Sequence, residues 1–217
     1  MAENTGDLHA ERTDYGYDVL TRATLKSDPL ELFAEWIQAA LDKRIKDATA
    51  MTLATVSADG APSARVVLLK KFDQHGLGWY TNYDSHKGQE LASNPRAALV
   101  LFWPQVERQI RVEGVVARMS AEDSDAYFHS RPAGSRYSAA ASPQSKVVRD
   151  QDWLQHEVAK LREQFPNDDV PRPDNWGGYN LTPSRYEFWQ GRPSRLHDRF
   201  SYTRTADNGW TIDRLGP

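Results

Sequence analysis

Near its C-terminus the chain reads FWQGRPSRLHDR, and this stretch gathers Arg192, Arg195, His197 and Arg199 within eight positions, directly after an aromatic pair and a turn. Such a cluster suits either a solvated basic strand or a site for an anionic, aromatic ligand. Other residues raise the same choice. Arg65 and Lys70 bracket the apolar run Val66, Val67, Leu68 and Leu69. Strand alternation places this Arg and Lys on opposite faces unless the strand bends or ends near Lys70. Tyr80 and Thr81 precede Ser85, His86, Lys87 and Gly88, where a hydroxyl, an ammonium and free backbone N–H groups would converge on a helix start, a natural phosphate cradle. Gln109 and Arg111 share a strand face, and a Gln there both donates and accepts, as recognition of a flavin or pyrimidine edge requires. Tyr127 and Arg131 lie four apart on a helix end, with Ser135 beyond, and together offer a phenol, a bidentate guanidinium and a hydroxyl to a phosphate. Ser142, Gln144 and Ser145 add short polar groups close by in sequence.

The rest of the composition narrows the chemistry. With 27 basic and 30 acidic residues the net charge is −3, so no bulk field recruits nucleic acid or an anionic membrane, and any anion site is local. There is no cysteine, which excludes disulfides, thiolate metal sites and a cysteine nucleophile; no metal site is expected. The first residues, MAENTGDLHAERTDYG, are polar, and the longest apolar run, AALVLFW at 97–103, is far too short to span a bilayer. The expectation is a cytoplasmic protein. Seven Trp, nine Tyr and seven Phe fit a β-rich core or a pocket that stacks planar ligands.

These residues need elements to hold them. Residues 1–27 lack periodicity and read as a flexible arm, followed by one domain over 28–217. Asp28-Pro29-Leu30-Glu31 signals a helix start, and Leu32, Phe33, Trp36, Ile37, Ala40 and Leu41 form its apolar stripe. Between about 50 and 118, β-type runs alternate with the turns ADGAP and DQHG, interrupted by a short helix over 85–93 capped by Ser85. Helices follow near 121–130 and 150–165, with RPAGSRYSAAASPQSK read as a loop between them. Strands are expected at about 185–190, 196–204 and 210–215, the last two joined by a turn at ADNG. In that reading Arg195, His197 and Arg199 share one strand face, Leu196 and Asp198 point the other way, and Arg192 is solvated with no role. Short strands at this spacing suggest an antiparallel barrel in an α+β domain.

RVVLLK, YTNYDSHKG, NPRAALVLFW, ERQIRVEG, YFHSRP, SPQS, WGGY, EFWQGRPSRLHDR and RLGP occur in one order. That order resembles the pyridoxine/pyridoxamine 5′-phosphate oxidases from about residue 28 to 217. The resemblance implies an antiparallel split β-barrel with flanking helices, FMN as cofactor, and a homodimer with two flavins at the subunit interface. It further implies oxidation of phosphorylated B6 vitamers by O2 with release of hydrogen peroxide. Carried over position by position, it assigns Arg65, Val66, Val67, Leu68, Leu69, Lys70, Tyr80, Thr81, His86 and Lys87 to flavin contacts, with Gln109, Gln144, Ser145, Trp189 and Arg199. Lys70, Tyr127, Arg131 and Ser135 match contacts to the vitamer phosphate. Arg195 and His197, with Leu196 between them, match the pair over the substrate ring, and Arg12 and Tyr15 match a segment that closes over it. Two departures stand out: His86 replaces a common Arg, and Ser135-Arg136-Tyr137-Ser138-Ala139-Ala140 replaces the family's SQIGAW. The alternatives are a phenazine-type FMN oxidase, which needs no phosphate clamp, and a non-catalytic flavin- or vitamer-binding module.

Overall fold

The computed structural model describes residues 13–217. Nine strands join in one antiparallel-paired sheet: β1 (Ala50–Val56), β2 (Pro62–Leu68), β3 (Lys71–Asp73), β4 (Gly76–Asn82), β5 (Arg96–Trp103), β6 (Arg108–Arg118), β7 (Trp176–Gln190), β8 (Asp198–Arg204) and β9 (Trp210–Arg214). The strand order is β2-β1-β5-β6-β7-β4-β3, with β8 also paired to β7 and β9 paired to β8. Five helices accompany them: α1 (Pro29–Asp42), α2 (His86–Ser93), α3 (Ala121–Ser130), α4 (Ala133–Ala141) and α5 (Gln151–Gln164). The described residues form two compact units, one of residues 13–48, 102–110 and 187–217, the other of 49–101 and 111–186, and β5, β6 and β7 each contribute residues to both.

In the first unit, Asp28 accepts from the Leu30 N–H and Pro29 opens α1, as the sequence predicts. Phe33 and Trp36 are buried, and Trp36 stacks edge-on against Phe188 at 5.3 Å while the Arg108 guanidinium covers its ring at 4.5 Å. Trp103 donates from Nε1 to the Ala48 carbonyl at 2.9 Å, so this buried indole is satisfied. Residues 13–27 hold one 3₁₀ turn, Arg22–Thr24. The Glu107 carboxylate accepts from the Gly16 and Tyr17 N–H groups at 2.8 Å, and Leu20 is buried with its N–H 3.2 Å from Asp198 Oδ2.

In the second unit, β1 pairs with β2 from Ala50–Leu68 to Val56–Pro62, and with β5 on its other edge. Its alternation buries Met51 and Leu53. β4 pairs with the first half of β7, Tyr80 opposite Gly178 and Thr81 opposite Gly177. Gly177 has no room for a side chain, because a Cβ there would lie 2.1 Å from the Tyr83 hydroxyl. Met119 packs over Gly78 and Gly178. Phe128, Tyr137, Val170 and Trp176 form a buried cluster on which Val158, Leu161 and Phe165 close.

Three expectations change. The segment read as a loop after Arg131 contains helix α4, whose Tyr137 is buried and donates to the Phe165 carbonyl. β7 begins at Trp176, about nine residues before the expected strand. No strand runs through Arg195 to His197: Pro193–Arg195 is a 3₁₀ turn and β8 starts at Asp198, so the alternation argument for a shared face does not apply. Among the described residues no helix is long and apolar enough to cross a membrane, and no group of three His, Asp or Glu is placed to hold a metal ion.

Candidate active site

A cavity of about 790 Å³ opens in the second unit, a size in the range of cofactor pockets. Its floor is the end of β2: Arg65, Val66, Val67, Leu68 and Lys70 all line it. The strand ends at Leu68 and the Lys70 N–H bonds to Gly78 O at 2.9 Å, and this turn lets Arg65 and Lys70 serve one pocket. Leu69 is buried and is not part of the lining.

One wall is the end of β4 and the start of α2. The Ser85 side chain caps α2, accepting from Gly88 N, and Gly88 lies so close to the Tyr83 carbonyl that a Cβ would meet it at 2.1 Å. This approach turns the helix start, with Lys87, into the cavity. Lys87 Nζ donates to Thr81 Oγ1 at 3.1 Å, Ser85 Oγ at 3.2 Å and Gln144 Oε1 at 3.2 Å. Thr81 in turn donates to Gln144 Oε1 at 2.8 Å, a contact across 63 positions that fixes the Gln144–Ser145 segment on the rim. Burial first, and then the charge of Arg65, push the Lys87 pKa down to about 8, although Glu90 acts the other way. Arg65 itself is balanced: it bonds Glu90 Oε2 at 3.1 Å, Ser63 Oγ at 2.5 Å and Thr55. Burial would raise the Glu90 carboxyl, but hydrogen bonds from Thr55, Ser63 and Arg65 hold it below the usual carboxylate range. His86 is exposed and its Nε2 stands 3.4 Å from Glu90 Oε1, one helical turn away.

The opposite wall is aromatic. Tyr80 and Tyr127 stack at 3.7 Å, Tyr127 lies parallel to Trp176 at 6.3 Å, and the Arg131 guanidinium sits over the Trp176 ring at 4.8 Å. Tyr127 and Arg131 reach the cavity together because the first is on the last turn of α3 and the second is its C-cap. Arg131 Nη1 is buried without a hydrogen-bond partner, and burial lowers the guanidinium's pKa. Among the described residues no carboxylate is within ion-pair distance of Lys70, Lys87 or Arg131. Ser135 lies in the first turn of α4 and does not line the cavity; Ser138, Ala139 and Ser142 from that helix and its C-cap do. Trp176 and Ser138 are site residues that the sequence reading does not contain, and Ser142 is noted there without a ligand contact assigned to it. Ser142 was already conspicuous in SPQS, whereas nothing local marks Trp176 as part of this wall.

The remaining candidates belong to the first unit. Tyr15, Trp189 and His197 make an aromatic cluster, with Tyr15–Trp189 at 5.6 Å, Tyr15–His197 at 5.4 Å and Trp189–His197 at 4.7 Å. Tyr15 and Arg195 line a second cavity of about 220 Å³, beside Arg192. Leu196 is exposed. Arg199 bonds Glu187 Oε1 at 2.8 and 3.0 Å and the Gly216 carbonyl at 2.8 Å. Arg192, expected to be a solvated bystander, bonds the Asp18 carbonyl at 3.1 Å and approaches Asp198 Oδ2 at 3.5 Å. Gln109 lies at the start of β6 beside buried Ile110, as the alternation predicts. Arg12 lies outside the described residues.

An antiparallel sheet of this order, with a cavity that carries cations and an aromatic wall, defines a protein of the split-barrel class. Residues 37–165 match the family model described as pyridoxamine 5′-phosphate oxidase, and residues 176–217 match the pyridoxine 5′-phosphate oxidase C-terminal dimerisation region. The chain is 51% identical over 215 residues to a pyridoxine/pyridoxamine 5′-phosphate oxidase of Hydrogenovibrio crunogenus, covering 97% of this chain and 98% of that one. Among solved structures it is similar to PhzG from Burkholderia lata, crystallised with tetrahydrophenazine-1-carboxylic acid (TM-score 0.87, 31% identity, 93% of this chain and 100% of that one). It also shares its fold with a pyridoxamine 5′-phosphate oxidase-related, FMN-binding protein from Nostoc punctiforme (TM-score 0.71, 18% identity, 89% of this chain and 100% of that one). The chain belongs to the pyridoxine/pyridoxamine 5′-phosphate oxidase family.

Proposed function

We propose that the protein is an FMN-dependent oxidase that converts pyridoxine 5′-phosphate and pyridoxamine 5′-phosphate to pyridoxal 5′-phosphate. The observation that carries this reading is the pair of uncompensated cations in one cavity: Lys87 at the start of α2, and Arg131 with an unpartnered buried Nη1. Two phosphates need two such places, and a single anion would leave one cation buried at a cost.

The residues fit the cofactor. Lys87, Thr81 and the α2 N-terminus would hold the FMN phosphate, with Arg65 held ready by Glu90 and Gln144 and Ser145 on the rim. When bound, FMN supplies the hydride acceptor and passes the electrons to O2. The chain's own residues bind and orient. Arg131, Tyr127 and Lys70 would take the vitamer phosphate, Arg131 through the fork left open on Trp176. The family resemblance further assigns Gln109, Trp189 and Arg199 to the flavin, Ser135 to the phosphate, and Arg195, His197 and Tyr15 to the vitamer ring. For the alcohol, substrate and O2 yield aldehyde and hydrogen peroxide; for the amine, water is also consumed and ammonia released. A homodimer is supported by the match of residues 176–217 to a dimerisation region.

The test is direct. The purified protein is examined for a flavin spectrum, then given either phosphorylated vitamer in air while aldehyde and peroxide are followed. A yellow protein inert toward both would refute the oxidase reading. The PhzG likeness favours a second reading, oxidation of a phenazine precursor, and turnover of tetrahydrophenazine-1-carboxylic acid in place of the vitamers would establish it.

A further inference from the structure

The loop from Gly191 to His197 bends in an unusual way. Ser194 and Arg195 both have left-handed backbones, with φ of 56° and 62°. Residues with side chains disfavour this region, and two in succession make a tight reversal. The reversal brings the His197 ring back over the start of its own loop, where the Arg192 N–H points at Nδ1 from 3.1 Å. The Arg192 amide is anchored on both sides: Gly191 N–H bonds the Glu107 carbonyl at 2.8 Å, and the Arg192 side chain reaches the Asp18 carbonyl.

A backbone amide nitrogen can only donate, so Nδ1 must accept, and it can accept only if it carries no proton. A neutral imidazole has one N–H, which then sits on Nε2. We infer that this loop locks His197 as the neutral Nε2–H tautomer, so that in the proposed oxidase it donates a hydrogen bond to the substrate ring and does not serve as a proton acceptor. The surroundings agree. The cationic groups near the ring are Arg192, Arg195 and Arg199, and burial followed by the latter two lowers the imidazole's pKa. The nearby carboxylate Asp198 is committed to Arg214 at 2.6 Å and to the Leu20 N–H. Tyr15 and Trp189 pack against the ring and hold its plane. With Nδ1 occupied, the ring offers its partner one donor, which fits an acceptor oxygen on the vitamer ring. The proton lost from the substrate's alcohol or amine as its carbon gives up hydride then passes to water.

This inference rests on the proposed function for its catalytic meaning, but the tautomer itself can be read without turnover. The full-length protein, labelled with ¹⁵N-histidine, is examined at pH 7.5 by long-range ¹H–¹⁵N correlation, with the His197 signals assigned by their loss in His197→Gln. A single neutral Nε2–H pattern is expected; an Nδ1–H tautomer, a mixture or an imidazolium would overturn the inference. Kinetics then separates donor from base. His197→Leu should raise KM for the phosphorylated vitamers about tenfold, the worth of one hydrogen bond. His197→Gln, which keeps an N–H near the Nε2 position, should recover part of that loss. A base would instead show a fall in kcat of roughly 10²-fold or more, equal in both variants, and that outcome refutes the donor role. An inactive protein with the expected tautomer would refute the oxidase reading alone.

Discussion

Lys87 should be a residue whose removal stabilises the flavin-free protein. Its residue is 7% exposed, and no carboxylate pairs with it among the described residues. The three oxygens around its Nζ also have other bonds: Thr81 Oγ1 donates to Gln144, Ser85 Oγ donates to the Asn82 carbonyl, and Gln144 Oε1 accepts from Asn82 N. Deleting the ammonium therefore orphans none of them. Its pKa drops from 10.5 to about 8, which corresponds to about 3 kcal/mol of penalty on the charged form; solvent screening at the open cavity reduces this to about 1–2 kcal/mol. Lys87→Met keeps the aliphatic stem and removes the charge. Flavin-free Lys87→Met should then melt roughly 3–6 °C above the wild type at pH 7, while its retention of FMN falls about 10- to 100-fold through loss of a charge-assisted bond. The pH dependence fixes the cause. Because the folded pKa lies below the unfolded one, the wild-type penalty is complete below pH 8 and disappears as pH rises toward 10.5. The gap between the two melting curves should close over that window. A gap that persists at pH 10.5, or no gap at pH 7, would refute the charge-burial argument.

Other outcomes follow from the same geometry. Arg131→Ala should raise KM for the phosphorylated vitamers about 10- to 100-fold and leave FMN retention nearly intact; loss of FMN with unchanged KM would refute its assignment. Glu90→Gln should cost about 3 kcal/mol near neutral pH by leaving Arg65 without its partner, read by urea denaturation. The Glu90 carboxyl is held below its ordinary 4.5, so its contribution is present above that value and lost as pH falls through the lowered one; the variant should show a flatter acid limb. Phe128→Ala, which empties a fully buried position, should cost about 3–5 kcal/mol by the same measurement.

What could be read from the sequence was local. Asp28-Pro29 and Ser85 announce their helices because capping is a matter of adjacent residues. Tyr127 and Arg131 announce a shared direction because one helical turn separates them. Helix α4 was hidden by the Pro, Gly and Ser around it, although the Ala run 139–141 carries high helix propensity and Tyr137 anchors it in the core. The first half of β7 was hidden by Gly177, Gly178 and Pro183, whose turn chemistry is overridden by pairing with β4 and by the close packing of Tyr83 and Met119. The Thr81–Gln144 contact and the place of Arg131 on Trp176 join distant segments, and only tertiary packing sets them. The site residues came from the family resemblance, because residue types alone left a surface reading open at each position. The loop through Arg195 was misread because alternation presumes a strand, and two left-handed residues break it.

Met51, closed into the core on β1, takes on a further meaning beside the proposed chemistry. An oxidase that releases peroxide bathes its own side chains in oxidant at every cycle, and sulfur is the first element to suffer. This chain has no cysteine and three methionines. Met51 is shut away from solvent, and Met119 is pressed over the backbone of Gly78 and Gly178. Among the described residues the proposed product would therefore meet little sulfur, and an oxidase so composed should lose its activity slowly to the peroxide it makes.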